Sequence, residues 1–282
     1  MRTSSSRPAA EARGLRRAAV LGYPIEHSRS PDLHRAAYRA LGLTGWTYER
    51  IECRAGELAG IVDGLDEEYV GLSVTMPGKA QALAYATSVS DRARLVGSAN
   101  TLVRGVDGWS ADCTDVDGVA GALAAVGADF TGGGTAVVLG AGGTARPALA
   151  ALAAAGADEV AIVVREEARA RDARALAAAL SLTARVVPFD AEAVRAPFAE
   201  ATAVVSTVPA AAAAALVDAV VDPLRLVDAI YDPWPTPLAA HVTATGGTVA
   251  GGLVMLLNQA YRQVELFTGM AAPREAMAAA LA

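Results

Sequence analysis

The segment that decides the fold of this chain is Thr135-Ala-Val-Val-Leu-Gly-Ala-Gly-Gly-Thr-Ala145. Its first five residues, Thr135 to Leu139, form an apolar run with the length of a buried strand. A glycine-rich turn follows, and a helical pattern then continues to Ala154. A strand, a glycine-rich turn and a helix in this order match the G-x-G-x-x-G/A fingerprint of dinucleotide-binding domains.

Each small residue of the turn has a separate physical reason to be there. Gly140 would permit the tight turn, and Gly142 would let the backbone approach a pyrophosphate at the N-terminus of the helix. Ala145 is small enough for the helix to pack closely on the sheet. We therefore expect the turn residues to bind a dinucleotide cofactor: Gly140, Ala141, Gly142, Gly143, Thr144 and Ala145.

The chain around this segment alternates strands and helices. Further strands are predicted at Glu159 to Val164, Ala184 to Val187, Thr202 to Val205 and Leu224 to Ala229. Each is a continuous apolar run separated from the next by a helical stretch, which is typical of a parallel sheet covered on both faces. Residues 115–250 are thus predicted to form a doubly wound parallel-sheet domain of the Rossmann type.

The preceding residues predict a second α/β unit. Strands are expected at Ala18 to Gly22, Trp46 to Cys53 and Tyr69 to Met76, with a short hairpin at Asn100 to Arg104 and Trp109 to Ala111. Ser30 and Pro31 would open a helix through Leu41, with Ser30 as its N-cap. Asp115 to Val126 reads as a helix between the two lobes, and Gly251 to Thr268 as a long terminal helix that returns to the first.

We accordingly expect a two-lobed α/β protein. Its N-terminal substrate domain would contain a mixed sheet and comprise residues 17–114 and 251–282. Residues 1–16 are rich in serine, arginine and alanine, lack the apolar centre of a secretory signal, and predict a disordered tail.

Composition excludes several classes of function. Hydrophobic residues make up 53% of the 282 residues and charged ones 19%, which indicates a globular chain. The net charge of −6 argues against nucleic acid or an anionic membrane as a partner. The apolar stretch 201–221 is interrupted by Pro209, so we interpret it as a strand followed by a helix rather than a membrane span.

Cysteine and histidine are too few and too scattered for a metal centre or a disulfide framework. Cys53 and Cys113 lack the spacing of metal ligands, and a low cysteine content suits a reducing cytoplasm. His27, His34 and His241 form no recognisable ligand motif. We therefore expect no metal and a cytoplasmic location.

Lys79 is the only lysine among the 24 lysine and arginine residues. Coding bias could have left it by chance. An ammonium group, however, loses its proton more readily than a guanidinium, particularly when it is desolvated. Lys79 follows an apolar run and a Pro-Gly turn, which indicates the end of a strand facing a cleft and favours a chemical role.

Two arginines follow the second strand of the dinucleotide-binding unit. Arg165 and Arg169 could clamp a ribose 2′-phosphate, which would select NADP. They could also be ordinary solvated charges, and Glu166 between them could instead hold the 2′-hydroxyl of NAD. We favour NADP.

Polar side chains stand at several predicted strand ends in the first lobe. Ser28 and Ser30 precede a helix and suit a carboxylate, although Ser30 alone could be only an N-cap. Asn100 offers an amide that both donates and accepts hydrogen bonds. Asp115 offers a carboxylate near the connection between the lobes, where it could also cap a helix.

Seven segments in this order resemble the shikimate dehydrogenase family, and they span about residues 20 to 265. They are Pro24-Ile-x-His-Ser-x-Ser-Pro31, Val74-Thr-x-Pro-x-Lys79, Asn100-Thr101, Thr114-Asp115-x-x-Gly118, Gly140-Ala-Gly-Gly143, Asp228-x-x-Tyr231-x-Pro233-x-x-Thr236-Pro-Leu238 and Gly252-x-x-Met-Leu-x-x-Gln259.

The resemblance implies the reversible NADPH-dependent reduction of 3-dehydroshikimate to shikimate, on the route to chorismate and the aromatic amino acids. It implies Lys79 and Asp115 as the catalytic pair, both in contact with the substrate. By the same resemblance the substrate carboxylate would be held by Ser28, Ser30 and Tyr231, and the ring hydroxyls by Thr75, Asn100, Asp115 and Gln259. Gly252 and Met255 would contact the cofactor. A monomer and a homodimer are both compatible with the sequence.

The chain departs from the family pattern at four places. Cys113 and Ser73 stand where the family has asparagine, and the stretch Ser206 to Pro209 departs from the family's Asn-Ala-Thr. Arg165 is followed by Glu166 where the family has Asn-Arg-Thr. This last departure leaves open an NAD-dependent quinate/shikimate dehydrogenase. A nucleotide-sensing protein on an inactive scaffold is a further alternative, but it predicts loss of Lys79 or Asp115, and both are present.

Overall fold

The computed structural model describes residues 14–220 and 222–282. Most of the predicted disordered tail, residues 1–13, lies outside the described residues. Strand β1 begins at Arg16, two residues earlier than predicted, because Arg16 and Arg17 already pair with Trp46 and Thr47 of the neighbouring strand. The described residues form two sheets, as the sequence predicts, but each contains six strands where five were predicted. The short strands at Ser88–Val89 and Thr248–Ala250 were not predicted.

The first sheet is mixed. Its strands are β1 (Arg16–Gly22), β2 (Trp46–Glu52), β3 (Tyr69–Val74), β4 (Ser88–Val89), β5 (Thr101–Gly105) and β6 (Gly108–Asp112), in the order β2-β1-β3-β5-β6-β4. The pairs β1–β2, β1–β3 and β4–β6 are parallel, whereas β3–β5 and the hairpin β5–β6 are antiparallel. The helices of this part are α1 (Ser30–Ala40), α2 (Leu58–Asp63), α3 (Lys79–Tyr85) and α4 (Asp91–Val96).

The second sheet is entirely parallel. Its strands are β7 (Thr135–Leu139), β8 (Glu159–Val164), β9 (Thr183–Pro188), β10 (Ala203–Ser206), β11 (Arg225–Asp228) and β12 (Thr248–Ala250), in the order β12-β11-β10-β7-β8-β9. The chain reverses its direction of travel across the sheet between β7 and β10, and ligands bind outside the carboxyl ends of strands at such a switch point. The sheet confirms the predicted doubly wound fold.

Helices α6 (Ala145–Ala155), α7 (Arg171–Ala179), α8 (Ala191–Glu200), α9 (Ala210–Ala213) and α10 (Pro237–Ala244) accompany this sheet, with short 3-10 helices at Glu167–Ala170 and Ala214–Ala219. Two apolar cores cover its faces. Val138 and Ile162 lie in the core that includes α6, while Val137 and Val163 lie in the core that includes α8. Burial of alternate residues on both faces explains why these strands are continuous apolar runs.

Two helices join the lobes. Helix α5 (Asp115–Ala125) packs against α11 (Gly252–Thr268), and α12 (Arg274–Ala279) ends the chain. A Cβ atom at Gly118 would lie 2.8 Å from the carbonyl oxygen of Met255, so glycine lets these two helices approach closely. Val264 and Phe267 of α11 contact the core of the first lobe, whereas Met255 contacts that of the second. The exact domain boundaries stay a prediction.

Three local predictions are wrong. Helix α1 begins at Ser30 with Arg29 in the N-cap position, so Ser30 does not cap it. Lys79 is the first residue of α3 rather than the end of a strand, because Thr75 to Gly78 form a turn after β3. Thr114, not Asp115, occupies the N-cap position of α5. Within the described ranges no helix has both the length and the apolar character that a membrane span requires.

Candidate active site

A cleft with a cavity volume of about 160 Å³ lies between the two lobes. Its walls come from the turn after β3, the N-terminal ends of α5 and α11, and the loop after β11. The residues that line it are Val20, Ser30, Ser73, Val74, Thr75, Lys79, Asn100, Asp115, Gly118, Thr144, Ala229, Tyr231, Gly252, Met255, Leu256, Gln259 and Gln263. The structure thus brings most of the predicted substrate residues to one place.

Lys79 and Asp115 form an ion pair in this cleft. The Nζ atom of Lys79 lies 2.5 Å from Oδ2 of Asp115, and the two side chains are only 17% and 14% exposed. Each residue is the first of its helix, α3 and α5. The second carboxylate oxygen, Oδ1, accepts a hydrogen bond of 3.0 Å from the amide of Asn100. Both oxygens of Asp115 therefore have a donor within the protein.

The amide of Asn100 links this pair to the helix α11. Asn100 is buried, and its Nδ2 also lies 3.3 Å from Oε1 of Gln259. Gln259 is held in turn by a hydrogen bond of 2.8 Å from its Nε2 to the carbonyl oxygen of Leu256. Thr75 lines the same wall of the cleft one turn before Lys79. Hydroxyl and amide groups therefore surround the ion pair.

Two of the three residues expected to hold a carboxylate line the cleft. Ser30 is buried and Tyr231 is half-buried, and burial followed by the charge of Asp232 raises the pKa of the Tyr231 phenol. Ser28 does not line the cleft; its hydroxyl accepts a hydrogen bond of 3.4 Å from the backbone N–H of Ser30. A carboxylate site built from these residues would therefore rely first on Ser30 and Tyr231.

The loop that carries Tyr231 is held by a buried acid. Asp228, at the end of β11, accepts hydrogen bonds from the hydroxyl of Thr236 at 2.7 Å and from the backbone N–H of Ile230 at 3.1 Å. Burial raises the pKa of Asp228. These bonds close the loop on both sides of Tyr231 and fix where its side chain leaves the backbone.

A second groove adjoins the cleft along the carboxyl ends of β7 and β8. It is lined by Gly140, Ala141, Gly142, Val163, Val164, Arg165, Arg169, Phe189, Thr207, Val208, Pro209 and Ala212. Thr144 lines the cleft instead, Ala145 is buried under the turn, and Gly143 lies exposed beside Gly142. Gly252 and Met255 likewise line the cleft rather than this groove.

The glycine-rich turn has room for a ligand. Gly140 adopts a φ of 99°, which favours glycine, and a Cβ atom there would lie 2.9 Å from Oγ1 of Thr207. A Cβ atom at Gly142 would meet no protein atom within 4 Å. Packing therefore requires glycine at position 140, whereas at position 142 the missing side chain leaves exposed backbone for a phosphate to approach. These residues fit a dinucleotide.

The arginines at the far end of the groove differ in their pairing. Glu166 lies 3.7 Å from the Nε atom of Arg169, and both side chains are exposed. Among residues 14–220 and 222–282, no carboxylate lies within 4.0 Å of the guanidinium of Arg165. Arg165 is thus the more available cation for a ligand phosphate, since Glu166 faces the other arginine.

Sequence reasoning did not assign several residues that line these two sites. In the groove they are Phe189, Thr207, Val208 and Pro209; in the cleft they include Ser73 and Gln263. Gln263 could have been found, because it follows Gln259 by four residues and hence lies on the same face of α11. The described residues contain no group of three or more histidine, cysteine, aspartate or glutamate side chains arranged for a metal ion.

Comparison with known proteins gives consistent matches. Residues 20–102 match the family model of the shikimate dehydrogenase substrate binding domain, and residues 252–282 match that of the shikimate 5'-dehydrogenase C-terminal domain. The shikimate dehydrogenase (NADP(+)) of Caulobacter vibrioides is 39% identical over 261 residues, which cover 89% of each chain.

Two solved structures extend the likeness to the whole fold. The crystal structure of Mycobacterium tuberculosis shikimate dehydrogenase has a TM-score of 0.89 and 53% identity, with 94% of this chain and 98% of that chain covered. The Thermus thermophilus shikimate 5-dehydrogenase in complex with NADP(H) and shikimate has a TM-score of 0.78 and 30% identity, with 94% and 98% covered. With relatives this similar over nearly its full length, the chain belongs to the shikimate dehydrogenase family.

Proposed function

We propose that this protein is an NADP-dependent shikimate dehydrogenase that reversibly reduces 3-dehydroshikimate to shikimate. The observation that carries the proposal is the ion pair of Lys79 and Asp115, enclosed in a polar cleft beside a dinucleotide-binding groove. The names of the similar proteins from Caulobacter and Thermus, which include NADP and shikimate, support the same activity. The route to chorismate is the setting for this reaction.

The reaction needs a proton donor beside the carbonyl oxygen that becomes a hydroxyl. When bound, NADPH supplies the hydride. Negative charge then develops on the substrate oxygen, and a cation within hydrogen-bond distance stabilises it. Lys79 is our candidate, because its ammonium can both stabilise the charge and transfer the proton. An arginine could do only the first, since a guanidinium keeps its protons.

Asp115 would act on both partners of this proton transfer. Its Oδ2 holds the ammonium of Lys79 at 2.5 Å, which restricts the lysine to one direction. A carboxylate beside a substrate hydroxyl also accepts a hydrogen bond from it. We therefore assign Asp115 to orienting the lysine and to binding the substrate. In the oxidation of shikimate, Lys79 would take up the proton that it donates in the reverse direction.

The remaining cleft residues are assigned to the substrate's other groups. We assign its ring hydroxyls to Thr75, Asn100 and Gln259, whose hydroxyl and amide groups line the wall near Asp115. We assign its carboxylate to Ser30 and Tyr231, with Ser28 behind them. An amide matched to a hydroxyl gives strong selectivity, because an analogue that lacks this hydroxyl leaves a buried polar group unpaired.

The groove supplies the cofactor contacts that we propose. Exposed backbone in the turn Gly140–Ala145 would receive the pyrophosphate at the N-terminus of α6, and Arg165 would contact the 2′-phosphate of NADP with Arg169 nearby. Gly252 and Met255 would face the nicotinamide end, since they line the cleft beside the substrate residues. The pairing of Glu166 with Arg169 supports NADP over NAD, because it turns the carboxylate away from Arg165.

The alternative is an NAD-dependent quinate/shikimate dehydrogenase. Quinate carries a hydroxyl on the carbon that bears the carboxylate, where shikimate has a ring double bond. The carboxylate and the other ring hydroxyls are common to both, so the two substrates share the contacts assigned above. The test is a four-way assay of the purified protein with shikimate or quinate and with NADP⁺ or NAD⁺. We expect the highest kcat/KM with shikimate and NADP⁺. A higher value with NAD⁺, or with quinate, would establish the alternative.

A third possibility is a protein that binds nucleotide without catalysis. It would give no turnover in any of the four assays and would bind the cofactor with unchanged affinity after Lys79→Ala. The cytoplasmic location stays a prediction, which cell fractionation can test. The choice between a monomer and a homodimer also stays open, and size-exclusion chromatography with light scattering can decide it.

A further inference from the structure

We infer that Gln263, a buried glutamine without an assigned contact to substrate or cofactor, is a positioning residue that fixes the orientation of the Asn100 amide and so the place of Asp115. The inference rests on the proposed function, because Asn100 and Asp115 are the residues that we assign to the substrate. It goes beyond that function, because catalysis would then also depend on a chain of hydrogen bonds with a fixed direction behind the substrate residues.

The carboxamide of Gln263 uses all of its hydrogen-bonding capacity. Its Nε2 donates to the carbonyl oxygen of Asn100 at 3.2 Å and to the hydroxyl oxygen of Thr101 at 2.9 Å. Its Oε1 accepts from the hydroxyl of Ser73 at 2.7 Å. Gln263 is fully buried, so reversing the amide would bring its oxygen against the carbonyl oxygen of Asn100 without water to compensate.

Two residues near Oε1 of Gln263, Tyr48 and His34, support the same orientation of its amide. Tyr48 donates to the hydroxyl oxygen of Ser73 at 2.6 Å, which leaves the single proton of Ser73 for Gln263. The ring Nε2 of His34 lies 3.3 Å from Oε1 of Gln263, and His34 stacks on Tyr48 at a ring distance of 4.1 Å. Because an amide oxygen can only accept, His34 places its proton on Nε2.

From Nε2 of Gln263, the hydrogen bonds continue in the same donor-to-acceptor direction towards the catalytic pair. The hydroxyl of Thr101 accepts from Gln263 and donates to Oδ1 of Asn100, 3.0 Å away. The hydroxyl of Thr114 lies 3.1 Å from the same Thr101 oxygen and can donate to it. Oδ1 of Asn100 also accepts from the backbone N–H of Thr114 at 2.7 Å. With its oxygen held in this way, Asn100 must present Nδ2 to the carboxylate of Asp115.

The chain of donors therefore runs one way from Tyr48 to Asp115. A reversed Asn100 amide would bring a carbonyl oxygen next to the carboxylate of Asp115, and two acceptors at this distance repel each other. Asp115 would then shift, and with it the ammonium of Lys79. A misplacement of about 1 Å at a reacting group can lower the rate by roughly 10².

The test is a double-mutant cycle with Gln263→Met and Asn100→Ala. Methionine keeps the length of glutamine but removes its hydrogen bonds. We expect Gln263→Met to lower kcat/KM for shikimate by about tenfold to 10² and to leave KM for NADP⁺ within about twofold. In the Asn100→Ala background the same substitution should change kcat/KM by less than about threefold, because residues that act through one another are not additive.

The control separates positioning from lost stability. Val264→Ala, at the next position of α11, removes buried side-chain volume but no hydrogen bond of this chain. It should lower the melting temperature and leave kcat/KM within about twofold. If Gln263→Met does not fold, Thr101→Val replaces it in the cycle, because valine matches threonine in shape and removes the hydroxyl that links Gln263 to the side-chain oxygen of Asn100.

Two results would overturn the inference. One is additivity, in which Gln263→Met or Thr101→Val lowers kcat/KM by the same factor in the Asn100→Ala background as in the wild type. The other is that Gln263→Met and Val264→Ala, at equal stability, lose the same amount of activity, since the loss would then follow from stability alone. Either result with an active wild-type enzyme removes the positioning role alone. A wild-type protein that does not oxidise shikimate would instead remove the proposed function, and the inference with it.

Discussion

The Nζ atom of Lys79 lies 2.5 Å from Oδ2 of Asp115, although 36 residues of sequence separate them. Each residue begins a helix that follows a strand of the first sheet, so the fold brings two helix starts together at the mouth of the cleft. This contact converts a lone lysine and an unremarkable aspartate into a candidate acid–base pair. That pair, the cofactor groove, the buried His34 and the partly buried Arg92 can each be tested by substitution.

Substitution of Lys79 should affect the chemical step most. Lys79→Ala is expected to lower kcat by roughly 10²–10⁴, which is the usual contribution of a positioned general acid or base, with a smaller change in KM. Lys79→Arg should remain poorly active, because arginine keeps the charge and cannot transfer the proton. Steady-state kinetics with shikimate measure both. A large rise in KM with kcat intact would reassign Lys79 to substrate binding.

Arg165 should distinguish the two nicotinamide cofactors. Arg165→Ala is expected to weaken the binding of NADPH by about tenfold or more and that of NADH much less, because only NADPH carries the 2′-phosphate. Titration of each cofactor by calorimetry or fluorescence measures the difference. Arg169→Ala is the matched control, since Arg169 is already paired with Glu166, and it should have the smaller effect. Equal losses for NADPH and NADH would refute the assignment of Arg165.

His34 should make the stability depend on pH. Burial lowers its pKa to about 3, with the hydrogen bond to Gln263 opposing this shift. Between that value and the unfolded value of about 6.5, the unfolded chain binds a proton that the native chain does not. Stability should therefore fall as the pH drops from 7 towards 4, by roughly 1 kcal/mol per pH unit from this group.

Denaturant unfolding of the wild type and of His34→Gln at pH 7, 6 and 5 tests this dependence. The variant should be less stable at pH 7, because it loses the stacking on Tyr48, yet its stability should change less with pH. His27→Gln, at an exposed histidine, should keep the wild-type slope. An unchanged slope in His34→Gln would show that His34 is not the group responsible.

Arg92 should stabilise the segment that carries Asp115. Its guanidinium contacts both oxygens of Asp112 at 2.7 and 2.6 Å, and its Nη1 lies 2.8 Å from Oδ2 of Asp117. Burial opposes ionisation of Asp112, but the hydrogen bonds from Arg92 and Ser90 outweigh it and lower the pKa of this carboxyl. Removing the arginine would leave two partly buried carboxylates facing each other.

Arg92→Met is expected to destabilise the protein by about 1–3 kcal/mol at pH 7, less than a fully buried pair because Asp117 is partly exposed. The loss should shrink only below about pH 4, the ordinary pKa of an aspartate, because Asp112, whose pKa is lowered, and the arginine stabilise each other only while the carboxyl is ionised. Arg94→Met, at an exposed arginine on the same helix, should cost little. Thermal unfolding of both variants at about pH 7 and about pH 3 measures these losses, and equal effects of the two substitutions would contradict the role of Arg92.

Five of the six strands of the second lobe could be predicted to within one residue at each end, and the three-residue strand β12 was missed. The predicted bounds of β7 and β8 agree with the structure, because parallel strands buried on both faces are unbroken apolar runs between polar turns. The first lobe was harder. Helices α2, α3 and α4 contain six or seven residues each, too few to show a repeating apolar face, and none of them was predicted.

The sequence by itself determined the dinucleotide turn, the family motifs and the identity of the lysine, because these depend on residue type and local spacing. Only the tertiary structure decided that Lys79 meets Asp115 and that Gln263 donates a hydrogen bond to the carbonyl oxygen of Asn100. Hydrogen-bond partners 163 residues apart leave no periodic trace along the chain. Their pairing follows from how α11 packs across the first sheet, and such packing exists only once the chain has folded.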